Sequence, residues 1–475
     1  MKLTDPRKSD PIAGEWGVLG SLYALEALVF LGLLALYRVS AKGAILNSLL
    51  TPWGIVLLVS TVTSLLLIWL VGRARWKAGP KKWLLSATMN ALVVGTLALC
   101  TELALRSLSV QHPFSVYDEE VGGILLYPRQ WQKVKAAHAA TLTKARVQQT
   151  YLVPDQTLGW TIGLSRQSDS GMNFSSMEGL RSAAKGVSMQ EGSATCRIAL
   201  IGDSFTFGEA VRFEDTWGTI LGKSMGGRCQ ILNFGIPAYG IDQIYLRYLQ
   251  DVRSWHPDLV IFSFINNDLP RAMSVYGFLM FANGEFPFAK PRFILRGDQL
   301  ELLKVPVASA TDLFATASIH DLPEINYDIG YFPLQWEREG WEWLTRSYLL
   351  RFLVSLHPLY DLERPEVSRQ AMMDLNGALI TKLRQAILDD GAKLLIVPLP
   401  DIDDFQEGVK NRWGLQLLES LRVPYIDILA CMKGSSVSEL FNAPSIGGHY
   451  SPKGNRETAR CLFEEVKTTL GGRFS

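Results

Sequence analysis

At 475 residues the chain is too long for one ordinary domain. A formal net charge of +1 lacks the strong basic bias that nucleic-acid binding needs, so no nucleic-acid partner is expected. The 48% hydrophobic content is unevenly spread, and its distribution says more than the average.

Three long apolar stretches come first: Gly17–Tyr37, Trp53–Gly72 and Trp83–Leu105. Each is about the ~20 residues that a helix needs to cross a bilayer. Their only acids are Glu26, mid-stretch and suited to face a neighbouring helix, and Glu102, near an end. The first stretch is too long for a cleaved signal peptide and lacks a clear small-residue cleavage site. Residues 1–105 therefore read as a membrane domain with three transmembrane helices and the lipid bilayer as partner. Basic residues crowd the N-terminal tail (Lys2, Arg7, Lys8) and the second loop (Arg73, Arg75, Lys77, Lys81, Lys82). The first loop has only Arg38 and Lys42. The positive-inside rule puts the N-terminus in the cytoplasm and everything after about residue 106 outside.

Residues 106–194 are polar and mixed, and read as an extracytoplasmic linker with short elements. "QWQKVKAAHAATLTKARVQQ" reads as a helix, and "PDQTLGWTIG" and "NFSSMEGLRS" as strand-and-turn segments. From Arg197 onward strands alternate with helices. "RIALIGD", "CQILNFG", "DLVIFSFIN", "KLLIVPLP" and "PYIDIL" are apolar runs of strand length. This rhythm predicts a five-stranded, mostly parallel sheet with helices on both faces over residues 195–475. The chain closes with a helix whose N-cap is Ser451 and whose first turn holds Pro452. More than a hundred residues separate the third and fourth runs, so an insertion is expected at about 272–370, carrying a hairpin that turns at Gly297-Asp298. Substrate loops and mere packing elaboration both fit that insertion.

Polar motifs stand at the ends of these runs, where open parallel sheets bind ligands. The first ends in "GDSFTFGE", which sets Ser204 at a helix N-terminus beside Asp203 and Gly202. The second runs into "NFGIPAYG", with Asn233 and Gly235, and the third into "INND", with Asn267 and Asp268. His449 follows the fifth, in "SIGGHYSPKGN". Each alone has an ordinary reading: a helix cap, a turn, an Asx turn, a solvated histidine. Their joint order is what points to nucleophilic catalysis by a serine and a histidine.

With these motifs, residues from about 195 to 470 resemble an SGNH (GDSL-type) hydrolase domain. The upstream "LGW…NFSSMEGLR" is similar to bacterial membrane-anchored members. The resemblance implies a flavodoxin-like three-layer α/β/α fold, with Ser204 as nucleophile and His449 as general base. It implies an oxyanion hole from the backbone N–H groups of Ser204 and Ala238 and the amide of Asn267, with no cofactor or metal. There are three departures. Ala238 replaces the family's oxyanion glycine, and Ile265 replaces the usual glycine of the third block. Ile446 stands where the family's aspartate precedes the histidine, with no acid at Gly447 or Gly448. Asp427, at the end of the fifth run, is the nearest substitute in sequence.

The implied function is a membrane-tethered, extracytoplasmic esterase or O-acyltransferase. It would sit in a bacterial inner membrane with its hydrolase domain periplasmic or extracellular. Its expected partners are an acylated glycan of the cell envelope or an exported polysaccharide, or else a lipid ester, together with an envelope-biosynthesis protein. A degenerate domain that binds glycan or scaffolds a complex is the non-enzymatic alternative. Outside the apolar stretches the cysteines number four, an even count suited to an oxidising compartment. The fold sets Cys196 beside Cys229 at the starts of its first two strands, so that pair, with Cys431–Cys461, is a candidate disulfide set; free thiols are the alternative.

Overall fold

A computed structural model describes residues 81–471, apart from 114, 148–150, 191–194, 282–285, 304–314, 334–344, 357, 359–363, 406–411 and 443–447; side chains of 81–93, 97 and 141–147 are also outside the description. Two compact units emerge. One holds residues 1–134 and 333–361, and the other holds 135–332 and 362–475.

In the first unit, the apolar stretch Trp83–Leu105 lies in a helix over Lys81–Leu108. The other two stretches lie outside the described residues. Among the described residues, no helix is long and apolar enough to cross a membrane. The tail of the expected insertion belongs to this unit, as a helix over Tyr348–Leu356. Glu102 accepts hydrogen bonds from the first free donors of that helix, Tyr348 N at 2.9 Å and Leu349 N at 2.8 Å, and from Ser347 Oγ at 2.9 Å. A carboxylate there satisfies backbone donors that a helix cannot satisfy itself.

In the second unit, the core is an alternation of strand and helix. β1 (Cys196–Ile201) leads into the single-turn helix α1 (Ser204–Phe207), and α2 (Trp217–Ser224) follows. Next come β2 (Cys229–Asn233), α3 (Ile241–Arg247), β3 (Leu259–Phe264) and α4 (Asp268–Arg271). A two-strand hairpin, β4 (Arg292–Arg296) and β5 (Gln299–Leu303), turns at Gly297-Asp298 as its sequence predicts. The chain ends with α5 (Arg369–Asp389), β6 (Lys393–Pro398), α6 (Trp413–Leu421) and α7 (Pro452–Leu470).

The sheet order is β6-β3-β1-β2, and every pairing is parallel. This is the strand arrangement of a flavodoxin-like sheet, with the crossing point between β1 and β3. Successive side chains on each strand point to opposite faces. Ala199, Ile201, Val260 and Phe262 thus pack with α3 and α5, while Ile198, Leu200, Leu259 and Ile261 pack with α2 and α7. Burial on both faces explains the unbroken apolar runs in the sequence.

The expected fifth strand over 424–429 is not formed, and the sheet has four strands. One backbone bond, Ile426 N to Ile396 O at 2.9 Å, runs alongside β6. The segment enters from Arg422 in the left-handed region (φ 54°) and leaves at Asp427, whose carboxylate accepts Leu429 N at 3.1 Å to open a short helix. Cys196 and Cys229, direct partners in the β1–β2 register, form one disulfide with a Cα–Cα separation of 4.6 Å. Cys431 and Cys461 form another, at 6.0 Å.

Candidate active site

β1 ends at Ile201, and the chain turns sharply through Gly202 into α1. A Cβ on Gly202 would meet Thr206 Oγ1 at 2.0 Å and the Ser263 carbonyl oxygen at 2.3 Å, so only glycine fits this turn. Asp203 is the N-cap, and its Oδ1 accepts the N–H of Phe205 at 2.9 Å. Ser204 is the first residue of the helix, so its own backbone N–H has no intrahelical acceptor. Its hydroxyl faces two acceptors, His449 Nε2 at 2.9 Å and Asp203 Oδ2 at 3.4 Å. The shorter contact has the geometry required for general-base removal of the hydroxyl proton.

His449 is held mainly through its backbone and its neighbours. Its carbonyl accepts Asn442 N at 2.8 Å, and Ser451 N bonds Leu440 O at 2.8 Å just beyond it. The Phe205 ring packs at 5.0 Å from the imidazole, and Tyr450, anchored by its hydroxyl to Pro400 O at 2.7 Å, packs against Phe205. Ser451 caps α7 by accepting Lys453 N and Gly454 N, with Pro452 in the first turn, as the sequence predicts. Burial lowers the pKa of His449; Asp203 works against that and Arg271 adds to it. The histidine Nδ1 has no partner among the described residues. Ile446, the position of the missing acid, lies outside them.

Asp427 does not fill that gap. Arg412 grips both of its oxygens, at 2.5 and 3.1 Å, and no hydrogen bond joins it to His449. Its place in sequence suggested a role in catalysis. In the fold it ties the end of the would-be fifth strand to the start of α6.

The loop after β2 is pinned under the nucleophile. Asn233 donates to Thr206 O at 2.9 Å and accepts Gly235 N at 3.0 Å, and Ile236 N bonds Gly202 O at 3.1 Å. Gly235 is needed because a Cβ would lie 2.5 Å from Phe207 N. Ala238 is buried with φ 67°, the left-handed region that glycine adopts more readily. The alanine therefore takes the backbone conformation that a glycine would take there. Trp160 fastens the loop: its indole N–H donates to Pro237 O at 3.1 Å, and Tyr239 OH donates to Trp160 O at 2.6 Å.

The two asparagines after β3 have different duties. Asn266 accepts Gly414 N at 3.0 Å and donates to Asp404 at 3.4 Å, so it is structural. Asn267 is exposed, and its side chain makes no hydrogen bond among the described residues. Asp268 is fully buried, accepts Ile265 N at 3.0 Å and receives Arg271 Nη1 at 2.6 Å. Burial, and then the Asp203 charge, push the Asp268 carboxyl well up, against the pull of Arg271. Arg271 also reaches Asp203 at 3.3 Å. Sequence reasoning missed Arg271 and Trp160. The i,i+3 spacing of Asp268 and Arg271 was a weak signal for the first; the second lay in the "LGW" segment, but its contact spans 77 residues and nothing local announced it. Among the described residues, no His, Cys, Asp and Glu cluster has metal-holding geometry.

A family model for GDSL-like lipase/acylhydrolase matches residues 198–462, more than half of the chain. The chain belongs to the GDSL-like lipase/acylhydrolase family. Serine ester hydrolysis is thus the general chemistry of this GDSL site. The chain is also similar to several solved structures. One is the acetyl xylan esterase AlAXEase, at 15% identity over 57% of this chain and 100% of that one, with a TM-score of 0.28. Another is a catalytic mutant of the acetylxylan esterase Axe2 of Geobacillus stearothermophilus, at 14% over 58% and 96%, TM-score 0.30. A third is a lipolytic G-D-S-L protein of Veillonella parvula, at 10% over 56% and 96%, TM-score 0.29. No curated protein matches the chain.

Proposed function

We propose that this GDSL protein is a membrane-tethered, extracytoplasmic esterase or O-acyltransferase working through a Ser204–His449 dyad. The observation that carries the chemistry is the 2.9 Å contact between His449 Nε2 and Ser204 Oγ. In the first half-reaction Ser204 Oγ bonds to the acyl carbon while its proton passes to Nε2. The carbonyl oxygen takes the displaced electron pair, with the N–H groups of Ser204 and Ala238 and the Asn267 amide as donors. Collapse expels the alcohol, which takes the proton from His449. Water or a sugar hydroxyl then releases the acyl group by the same steps in reverse.

Three apolar stretches in the sequence support the tether, as do the exposed Val94, Leu99 and Leu103 on the helix Lys81–Leu108. An outward placement supports an acylated envelope or exported polysaccharide as the substrate class. That Nδ1 of His449 has no partner among the described residues favours a second reading, a glycan-binding domain that has lost turnover. A fluorophosphonate probe separates the two. The catalytic reading expects labelling of the wild-type chain that is abolished in Ser204→Ala and strongly slowed in His449→Gln. Equal labelling of wild type and Ser204→Ala sinks it. Release of acetate from an acetylated polysaccharide by the wild-type chain, and not by Ser204→Ala, tests the substrate class.

A further inference from the structure

The dyad creates a positive charge on His449 each time Ser204 attacks. In a triad a carboxylate at Nδ1 answers that charge. Here another carboxylate lies against the nucleophile. Asp203 is 0% exposed, 3.4 Å from Ser204 Oγ, and directly follows the strand that carries the turn. Its other charged neighbour, Arg271, reaches it through the longer of two carboxyl contacts. Nη1 of Arg271 sits 2.6 Å from Asp268 and 3.3 Å from Asp203, so its closer contact is with the carboxyl away from Ser204. The side with the longer contact is the one beside Ser204. The helix cap alone does not require a charged group, because asparagine caps about as well as aspartate.

We propose that Asp203 is the electrostatic partner of the dyad, stabilising the His449 imidazolium through space from the Ser204 side, with Arg271 and Asp268 as positioning residues that hold it there. This rests on the dyad reading above. Among the described residues, the charged groups acting on His449 are Asp203, which favours the imidazolium, and Arg271, which opposes it, and the Phe205 ring packs on the imidazole. Low effective dielectric at a buried site strengthens such a field relative to water.

The test uses the full chain in detergent and two readouts. The first is the rate of fluorophosphonate labelling of Ser204 against pH. The second is the titration of His449 followed by NMR of 13C-histidine-labelled protein, assigned by its loss in His449→Gln. Asp203→Asn keeps a capping oxygen but removes the charge. It is expected to lower the His449 midpoint by roughly half a unit or more, a threefold change in proton affinity. The acid limb of labelling should move down with it while the maximal rate falls. Asp268→Asn loosens the closer hold on Arg271, which can then shift toward Asp203, and should move the midpoint in the same direction. Arg271→Lys keeps the charge and should hold it near wild type. An unmoved midpoint in both Asp203→Asn and Asp268→Asn overturns the proposal and reduces Asp203 to a helix cap. Loss of the dyad reading shows separately, as a wild-type chain that is not labelled at Ser204.

Discussion

Gly202→Ala puts the geometry of the nucleophile turn under direct test. The added Cβ would fall 2.0 Å from Thr206 Oγ1 and 2.3 Å from the carbonyl oxygen of Ser263. Unstrained non-bonded contacts lie at about 3.5 Å, so more than ~1 Å of overlap must be relieved. Neither neighbour yields easily. Ser263 is near the end of β3 and fully buried, and Thr206 is fully buried with its hydroxyl 2.6 Å from Ser263 Oγ. The turn must therefore lift away from β3, carrying Ser204 with it. Overpacking of this kind costs about 1–3 kcal/mol, and a misplacement of about 1 Å at a reacting atom costs on the order of 10²-fold in rate. The assay is the second-order rate of fluorophosphonate labelling at Ser204, with thermal melts by circular dichroism on the same samples. The expected result is a folded protein with a melting point a few degrees lower and labelling about a hundredfold slower. Gly434→Ala is the control, since its Cβ would meet nothing within 4 Å, and it should behave as wild type. Wild-type labelling by Gly202→Ala with an unchanged melt would refute the reasoning.

Asn267→Ala should slow labelling and turnover by about 10²–10³-fold, the usual cost of an oxyanion donor, with little change in melting. Asn266→Ala should do the opposite, because its loss leaves Gly414 N without an acceptor; a reversed pattern would exchange their roles. Asp427→Asn should leave the labelling rate within about threefold and cost at most about 1 kcal/mol, the scale of a partly exposed ion pair. A collapse of labelling there would restore Asp427 to the dyad. Thiol titration of the denatured chain should rise from one, Cys100, to five on reduction. Double replacement of Cys431 and Cys461 by serine, opening a loop of 30-residue separation, should cost about 3–4 kcal/mol; a thiol count unchanged by reductant, or an unchanged melt, would count against that bridge.

Much of this protein follows from sequence alone, wherever neighbouring residues decide the outcome. Apolar runs of strand length marked β1, β2, β3 and β6, because strands buried on both faces need them. Ser451 with Pro452 marked the start of α7, and Gly297-Asp298 the hairpin, because caps and two-residue turns depend on a few adjacent residues. The motifs at the strand ends marked Ser204 and His449, which the fold brings within 2.9 Å, since a parallel sheet puts all its carboxyl ends at one edge.

Contacts between distant residues decided the rest. "PYIDIL" has the composition of a strand, yet between the Arg422 turn and Asp427, which Arg412 holds, it makes one bond to β6. Nothing local to residues 345–356 announced that they would join the first unit, where Glu102 accepts their helix's free N–H groups across 246 positions. The surroundings of His449 were equally hidden. Asp427, the acid at the end of the run before it, is committed elsewhere, while Asp203, whose charge favours its protonated form, precedes it by 246 residues and is set there by one sharp glycine turn. Sequence period and turn chemistry determine which elements form and which polar groups end at the sheet edge. Only tertiary packing determines which of those groups are already spoken for and which are left free to react.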